Sequence, residues 1–314
     1  MLNRKSDRAT AAEVKLTVES TATKVITVEC DLQSFASVRA AAIQVATIAA
    51  EFGGLDTLVN NAGIMGFPDN RTGDGFDVQM QTNHLSHFLL TKLLMPSLDA
   101  AAAARGEARI VQHSSGARSK KMSADQIGNL NASFFSKCDA GTLGGDSPPP
   151  VCFNRYHQTK LANSVFMAAL HHRLTAAGKT TIKSVCAEPG VASTSLGGNL
   201  AAAHAAKNLP VDWLHGMAKM YPVVQSPADG CCPLMYAAFS EGTNAGDFYM
   251  PKDQNQGCTV GKPVKCMEGA ISANDAPEWI STKFEKEALT MSKENQDCLW
   301  AASETAVGES FAFL

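Results

Sequence analysis

Short apolar segments and longer segments with helical periodicity alternate along this chain. Residues 24–30 are rich in β-branched side chains, which is typical of a buried strand. Residues 35–52 are rich in alanine and carry apolar positions at helical spacing, and Gly53 and Gly54 follow as helix-ending residues. A second short strand is predicted at 56–60. The chain therefore opens as strand, helix and strand.

The same alternation continues through most of the chain. The remaining predicted helices and strands are, in order, a helix at 76–98, a strand at 108–113, a helix at 154–177, a strand at 181–187, short helices at 198–221, a helix from Ser226 to about 240 and a strand at 246–250. Such alternation favours a parallel sheet with helices on both faces. Since no repeat or linker divides the chain, we predict one α/β domain over 1–314, with a doubly wound sheet in three αβα layers.

Two segments depart from this pattern. Residues 116–152 are polar, are rich in Gly, Ser and Lys, and end in three prolines, so we interpret them as a surface insertion. Residues 251–314 form a C-terminal extension with a polar helix near 277–306. We expect this extension to cover either the sheet edge or an oligomer surface. A homo-oligomer is therefore one of the possible assemblies.

Composition limits the classes of function. Lys and Arg total 27 and Asp and Glu total 30, so the net charge of −3 argues against a nucleic-acid partner. Hydrophobic residues make up 45% of the chain, which is enough for a large core. The nine cysteines show no Cys-x-x-Cys spacing, so we predict reduced thiols and no metal site.

The sequence also bears on localisation. No apolar run reaches the roughly 18 residues that a transmembrane helix needs, so no transmembrane segment is predicted. The first residues are polar and of mixed charge, unlike a secretory signal. We therefore expect an intracellular protein, cytoplasmic by default, and leave organellar targeting open.

Polar and glycine residues follow each predicted strand. These strand ends are Asp31, Asn60 to Gly63, Ser114 with Ser115, and Glu188 to Gly190. Ligands of parallel α/β sheets bind outside the carboxyl ends of the strands. We therefore expect a ligand site at this edge.

Tyr156 and Lys160 are four residues apart on a predicted helix, so their side chains share one face. A free tyrosine has a pKa near 10, and a nearby ammonium in a partly desolvated site can lower it towards neutrality. The phenol then serves as a general acid or base, and Ser115 is placed to bind the same substrate oxygen. On its own, such a pair is more often an ordinary feature of an amphipathic helix.

The order of these motifs resembles the short-chain dehydrogenase/reductase family over nearly the whole stretch from Leu2 to Met250. The resemblance rests on Asp31-Leu32, Asn60-Asn61-Ala62-Gly63, Asn83, Ser114-Ser115, Tyr156 to Lys160 and Pro189 to Thr194. The run from Lys160 to Asn163 and the long segment before Tyr156 are similar to the retinol dehydrogenase and protochlorophyllide reductase-like branch. The resemblance to this family implies a Rossmann-like fold.

The resemblance also implies roles for single residues. Tyr156 is the expected acid/base, Lys160 lowers its pKa and holds the nicotinamide ribose, and Ser115 orients the substrate oxygen. Asn83 supports a water-linked proton path. Without the resemblance, a structural role for Asn83, as a polar residue that caps or bends the long helix, is supported almost equally well. The implied cofactor-binding residues are Asp31, Leu32, Asn60, Ala62, Gly63, Tyr156, Lys160, Pro189, Gly190 and Thr194.

Cofactor choice depends on the first residues. If Met1 and Leu2 end a strand, Asn3, Arg4 and Lys5 lie beside the adenosine ribose. Basic side chains suit a 2′-phosphate, whereas an acidic residue suits the free hydroxyl. We therefore predict NADP(H), with NAD(H) the less favoured cofactor; a solvated start of a helix is the alternative for Arg4 and Lys5.

One family feature is absent from the sequence. Family members open with a strand, a Thr-Gly-x-x-x-Gly-x-Gly turn and a helix that holds the pyrophosphate. This chain starts where the second strand is expected, so we expect a gap in the middle of the sheet. We favour a start assigned too far downstream over a real truncation, because the later site positions all carry suitable residues.

The segment 196–225 is expected on the substrate side. Its apolar residues are Leu196, Leu209, Trp213, Leu214, Met217, Met220 and Tyr221. They suit a lipophilic carbonyl or alcohol, or simply pack a helix pair onto the domain. We predict an NADP-dependent oxidoreductase of a small-molecule carbonyl/alcohol pair. The alternatives are a reductase of a conjugated double bond and a catalytically silent binding module.

Overall fold

The computed structural model describes residues 1–19, 24–118, 129–139, 141–142, 144–214, 224–251, 263–267 and 284–313. Their strands form two sheets. The smaller sheet pairs β1 (Leu2–Asn3) with β2 (Val28–Glu29) in parallel. The larger sheet has, in spatial order, β3 (Thr57–Asn60), β4 (Ala108–His113), β5 (Ile182–Ala187), β6 (Phe248–Pro251) and β7 (Pro263–Met267). The strands β3 to β6 are parallel, and β7 is antiparallel to β6.

Helices connect and cover these strands. The described helices are α1 (Asp7–Glu19), α2 (Phe35–Ala50), α3 (Val78–Met80), a π-helical turn (Gln81–Leu85), α4 (Ser86–Arg105), α5 (Asn154–Ala176), α6 (Leu196–Ala205), α7 (Pro227–Phe239), α8 (Phe284–Met291) and α9 (Lys293–Val307). In the described part of the chain no helix is both long and apolar enough to span a bilayer.

The larger sheet is covered on both faces. Ile110 of β4 packs into the main core, which α2, α4, α5 and α9 build on one face. Its neighbour Val111 packs against Leu234 and Ala237 of α7 on the other face. Successive residues of a strand point to opposite faces, so both must be apolar in a three-layer fold. The predicted doubly wound, Rossmann-like α/β fold is confirmed.

Capping residues set the ends of several helices. The Ser226 hydroxyl accepts a hydrogen bond from the Asp229 amide at 3.1 Å, and Pro227 occupies the first turn of α7. Ser226 thus satisfies one free amide of the first turn, and Pro227 has no amide hydrogen that needs a partner. Gly106 ends α4 with a φ of 85°, a conformation that favours glycine. These two helix ends confirm the predicted positions for α7 and extend α4 beyond residue 98.

The two sheets remain separate. Among the described residues β1 pairs only with β2, and β3 pairs only with β4. This separation agrees with the expected gap in the middle of the sheet, which lies between β1 and β3.

Three expectations need correction. Residues 116–152 are not simply a surface insertion, because Leu130 and Phe135 are buried in the main core. The polar helix near 277–306 is instead two helices, α8 and α9, and Trp300 of α9 is also buried in that core. The edge strand β7 was not predicted, since its sequence carries no clear period. Met217, Met220, Tyr221 and residues 119–128 lie outside the described residues.

Candidate active site

Tyr156 and Lys160 lie on one face of α5 at the carboxyl edge of the larger sheet. Each is only 6% exposed, and the Lys160 Nζ atom lies 5.8 Å from the centre of the Tyr156 ring. Lys160 Nζ donates a hydrogen bond of 3.0 Å to the His113 carbonyl oxygen at the end of β4. Burial lowers the pKa of Lys160 to about 8. The structure thus brings together the two residues that the sequence paired.

The two serines after β4 differ in their contacts. The Ser114 hydroxyl is buried and donates to the Lys160 carbonyl oxygen at 2.7 Å, so it ties β4 to α5. The Ser115 hydroxyl accepts from the Ala117 amide at 3.2 Å and stays partly exposed. A hydroxyl in this state still has its proton to donate. Ser115, rather than Ser114, is placed to meet a ligand.

Asn83 sits in the π-helical turn that interrupts the predicted long helix. Its Oδ1 atom accepts from the Ile64 amide at 2.8 Å, and its Nδ2 atom donates to the Ile64 carbonyl oxygen and the Thr159 hydroxyl, each at 2.9 Å. Turns of this kind often occur at functional sites. The side chain therefore fixes the loop after β3 against α5.

Gly63 lies where this loop approaches α5 most closely. A Cβ atom there would lie 3.3 Å from Asn83 Oδ1 and 3.5 Å from Lys160 Nζ. The missing side chain keeps the space beside the ammonium open. This space forms an open cradle beside Lys160, and Gly63 is one of the residues that the family resemblance implies for cofactor packing. Ala62, also predicted, is exposed beside it.

The Asn60 side chain, also implied for cofactor packing, lies inside the protein. Its Nδ2 atom donates to the Thr91 hydroxyl at 3.0 Å, inside the protein, and the residue is 1% exposed. Asn61 belongs to the quoted motif but not to the implied cofactor-binding residues. It contacts His113, with 2.6 Å between its Oδ1 and the imidazole Nδ1. Burial and then the Lys160 charge lower the pKa of His113 to about 3, so it is neutral near pH 7. The sequence signal that could have placed His113 near the site is its position directly before Ser114.

The loop after β5 carries Pro189 and Gly190, and Gly190 adopts a φ of 70°. Gln225 holds this loop from the other side: its side-chain amide donates to the Pro189 carbonyl oxygen and its backbone amide to the Val191 carbonyl oxygen. Gln225 is buried, and no sequence motif marked it. Thr194 is exposed further along the loop, and its hydroxyl accepts from the Leu196 amide at 3.3 Å.

The predicted adenosine-binding residues lie on the smaller sheet. Arg4 and Lys5 are exposed directly after β1, while Asn3 lies within it. Asp31 follows β2, and its Oδ1 atom accepts from the Gln33 amide at 2.9 Å. Leu32 packs against the main core. Because β1 and β2 are parallel, the residues that follow both strands lie at the same edge of the smaller sheet.

An apolar cluster surrounds the Tyr156 ring. Its members are Ala117, Cys152, Phe153 and Leu200, with Met65, Trp213 and Leu214 packed against them. Trp213 lies edge-on to Phe153 with ring centres 5.7 Å apart. Trp213 and Leu214, from the segment expected on the substrate side, therefore lie in the apolar cluster that encloses the Tyr156 ring.

The chain is similar in sequence to known proteins. The sequence profile described as short chain dehydrogenase matches residues 1–127. Human retinol dehydrogenase 13 is 34% identical over 215 residues, which are 67% of this chain and 55% of that protein. The chain belongs to the short-chain dehydrogenase/reductase family. Mouse retinol dehydrogenase 14 is 35% identical over 169 residues, which are 54% of this chain and 43% of that protein, in keeping with the retinol dehydrogenase-like branch of the family.

Other members of the family extend the comparison. Mouse polyprenol dehydrogenase is 34% identical over 211 residues, covering 66% of this chain and 54% of that protein. This short-chain dehydrogenase/reductase thus spans about half the length of the curated relatives it matches.

Solved structures share its fold. An uncharacterized protein from Mycobacterium paratuberculosis gives a TM-score of 0.60 at 27% identity and covers all 100% of this chain and 85% of that chain. L-Sorbose reductase from Gluconobacter frateurii, complexed with NADPH and L-sorbose, gives 0.52 at 20% identity, covering 79% and 82% of the two chains. The second likeness concerns the fold alone.

Proposed function

We propose that this protein is an NADP(H)-dependent oxidoreductase that interconverts a lipophilic carbonyl compound and its alcohol. The observation that carries the proposal is the buried pairing of Tyr156 with Lys160 beside Ser115 and an apolar wall. The family membership supports the reaction class, and the site residues supply the chemistry.

Tyr156 is the proposed proton donor to the substrate oxygen in the direction of reduction. A positive charge near a phenolate favours its formation, and the effect is stronger where water is excluded. An ammonium at the position of Lys160 Nζ therefore stabilises the phenolate that forms when the proton leaves. Ser115 donates its hydroxyl proton to the same oxygen and orients it.

The described residues fit both ends of a dinucleotide. The cradle at Gly63 and Lys160 would hold the nicotinamide ribose, with Pro189, Gly190 and Thr194 beside the nicotinamide. Arg4 and Lys5 would hold a 2′-phosphate, since both are exposed where β1 ends. When bound, NADPH supplies the hydride. No described helix opens on a Thr-Gly-x-x-x-Gly-x-Gly turn, so a pyrophosphate contact of that type is not assigned.

The apolar cluster favours a lipophilic substrate. Met65, Phe153, Leu200 and Trp213 exclude water from the Tyr156 ring and offer apolar contact area. The names of two relatives point the same way, because retinol and polyprenol are both long apolar alcohols. We therefore propose a long-chain or polyene aldehyde as the substrate to be reduced.

The test is NADPH consumption by the full chain with a series of apolar and polar aldehydes. We expect Tyr156→Phe to lower kcat/KM at least about a hundredfold, because the proton donor is lost. Tyr236→Phe is the matched control: Tyr236 is 40% exposed on α7 and should retain the wild-type rate. Equal rates for wild type and Tyr156→Phe would refute the proposal, and no turnover by wild type with any aldehyde would favour a silent binding module.

A further inference from the structure

A fully buried ion pair lies behind the candidate active site. Arg118, in the 3₁₀ turn after β4, donates through Nη1 to Glu188 Oε2, directly after β5, and both side chains are 0% exposed. Removing two charges from water costs several kcal/mol for each ion. An apolar pair of similar size would often serve stability as well. Because stability alone does not account for this ion pair, we consider which parts of the fold it holds in place.

Among the described residues Arg118 contacts three separate parts of the fold. Besides Glu188, its Nη1 atom donates to the Ser115 carbonyl oxygen at 2.9 Å, and its guanidinium lies 4.2 Å from the centre of the Phe248 ring on β6. The Arg118 backbone amide also donates to the Ser115 carbonyl oxygen, at 3.1 Å. The guanidinium thus restrains the backbone of the serine whose hydroxyl faces the site.

Glu188 is the other anchor. Its backbone amide donates to the Tyr249 carbonyl oxygen at 2.9 Å, which fixes it at the end of the sheet, and Pro189 and Gly190 follow it directly. Among the described residues its Oε1 atom has no hydrogen-bond partner, so the contact with Arg118 is its main polar restraint. The Nη1 group of the planar guanidinium donates to both Glu188 and Ser115 with its two protons in fixed directions, whereas an ammonium rotates freely about its last bond.

We propose that Arg118 and Glu188 are positioning residues that hold Ser115 at a fixed separation from the Pro189–Gly190 loop. The inference rests on the proposed function, in which Ser115 orients the substrate oxygen and that loop flanks the nicotinamide. Neither residue touches the reacting atoms. A misplacement of about 1 Å between reacting groups can cost about a hundredfold in rate, which is the scale on which such a restraint acts.

The test combines two substitutions in the full chain. We expect Arg118→Lys to lower kcat roughly ten- to a hundredfold with little change in KM for NADPH, because the charge remains but the fixed directions of the two Nη1 protons are lost. In the Ser115→Ala background the same substitution should have little further effect, since Arg118 acts through Ser115. Arg109→Lys is the matched control: Arg109 is a largely buried arginine at the opposite end of β4 that donates to the Ala237 carbonyl oxygen at 3.1 Å.

A general loss of folding would lower kcat by the same factor with and without Ser115, and that result would overturn the inference. Glu188→Gln, which keeps the side-chain shape, enters the same cycle if Arg118→Lys does not fold. Amide hydrogen exchange gives a readout without turnover. We expect both positioning variants to raise exchange in segments 114–118 and 188–192 together, with Arg109→Lys changing neither. Faster exchange in only one segment would show that the two loops are not coupled.

Failure of the proposed function is distinguishable from failure of this inference. If the wild-type chain consumes no NADPH, the exchange experiment still decides whether the ion pair couples the two loops. If wild type is active and Arg118→Lys matches it in rate and exchange, only the positioning role is wrong.

Discussion

The charge of Lys160 decides whether it can stabilise a phenolate, and burial sets the pH at which that charge is lost. Lys160 is buried beside Gly63 and the His113 carbonyl oxygen, and burial lowers its pKa from 10.5 to about 8. The ammonium form therefore predominates below pH 8 and the neutral amine above it. The sequence predicted the pair but not this pH, because desolvation depends on the packing of β4 and the loop after β3.

For carbonyl reduction we expect kcat/KM to fall as pH rises through about 8. Lys160→Arg should lower the plateau, since the guanidinium is larger, but should abolish the fall near pH 8 because arginine stays charged. The measurement is the pH profile of kcat/KM between 6 and 10 for both proteins. The same midpoint in both would show that another group controls the profile.

At the scale of elements, α9 is the clearest case of a helix whose place came from the tertiary structure. Trp300 lies with its ring centre 5.3 Å from that of Phe88 on α4 and 6.1 Å from that of Phe166 on α5. The Arg173 guanidinium lies 4.1 Å from the centre of the same ring. From the sequence α9 is a polar helix, because only one narrow face is apolar. That face completes the main core.

We expect Trp300→Ala to lower the free energy of unfolding by about 3–5 kcal/mol, since a 5% exposed aromatic side chain leaves a cavity. Phe52→Ala is the control, because Phe52 is 57% exposed and its loss should cost less than about 0.5 kcal/mol. Urea unfolding followed by circular dichroism measures both. Similar midpoints for the two variants would mean that α9 folds apart from the core.

On the scale of the whole molecule, two of the buried histidines bear on stability: His84 in the π-helical turn and His87 in α4. His84 lies among Phe88, Phe135 and Phe166, and its Nε2 atom is 2.8 Å from the Ser303 hydroxyl oxygen. Burial lowers the pKa of His84 to about 3 and that of His87 to about 4. Both are neutral in the folded protein and take up a proton on unfolding below their ordinary pKa of about 6.5.

Stability should therefore fall as pH falls below about 6.5, by about 1.4 kcal/mol per pH unit for each such histidine until its folded pKa is reached. His84→Gln should reduce the slope of unfolding free energy against pH between pH 6 and 4 by about 1.4 kcal/mol per pH unit, which corresponds to one bound proton fewer on unfolding. His172→Gln, at an exposed position on α5, is the control. Urea titrations at several pH values measure the slope. An unchanged slope in His84→Gln would contradict the burial of a neutral imidazole.

The local pattern of the chain was sufficient to predict most elements and the paired residues of the site. Spacing alone places Tyr156 and Lys160 on one face of α5, and the alternation of strands and helices predicts the covered sheet. These features depend on neighbours in sequence, and backbone periodicity expresses them directly. The capped start of α7 at Ser226 is another example.

Contacts between distant segments had to come from the tertiary structure. Gln225 against Pro189, Arg118 against Glu188 and Asn83 against Ile64 each join residues that are at least 19 positions apart. Their energies come from desolvation and hydrogen-bond geometry, which exist only once the elements have packed. The sequence by itself therefore determined the kind of fold and the chemical groups, whereas packing decided which of them are buried, charged and held in register.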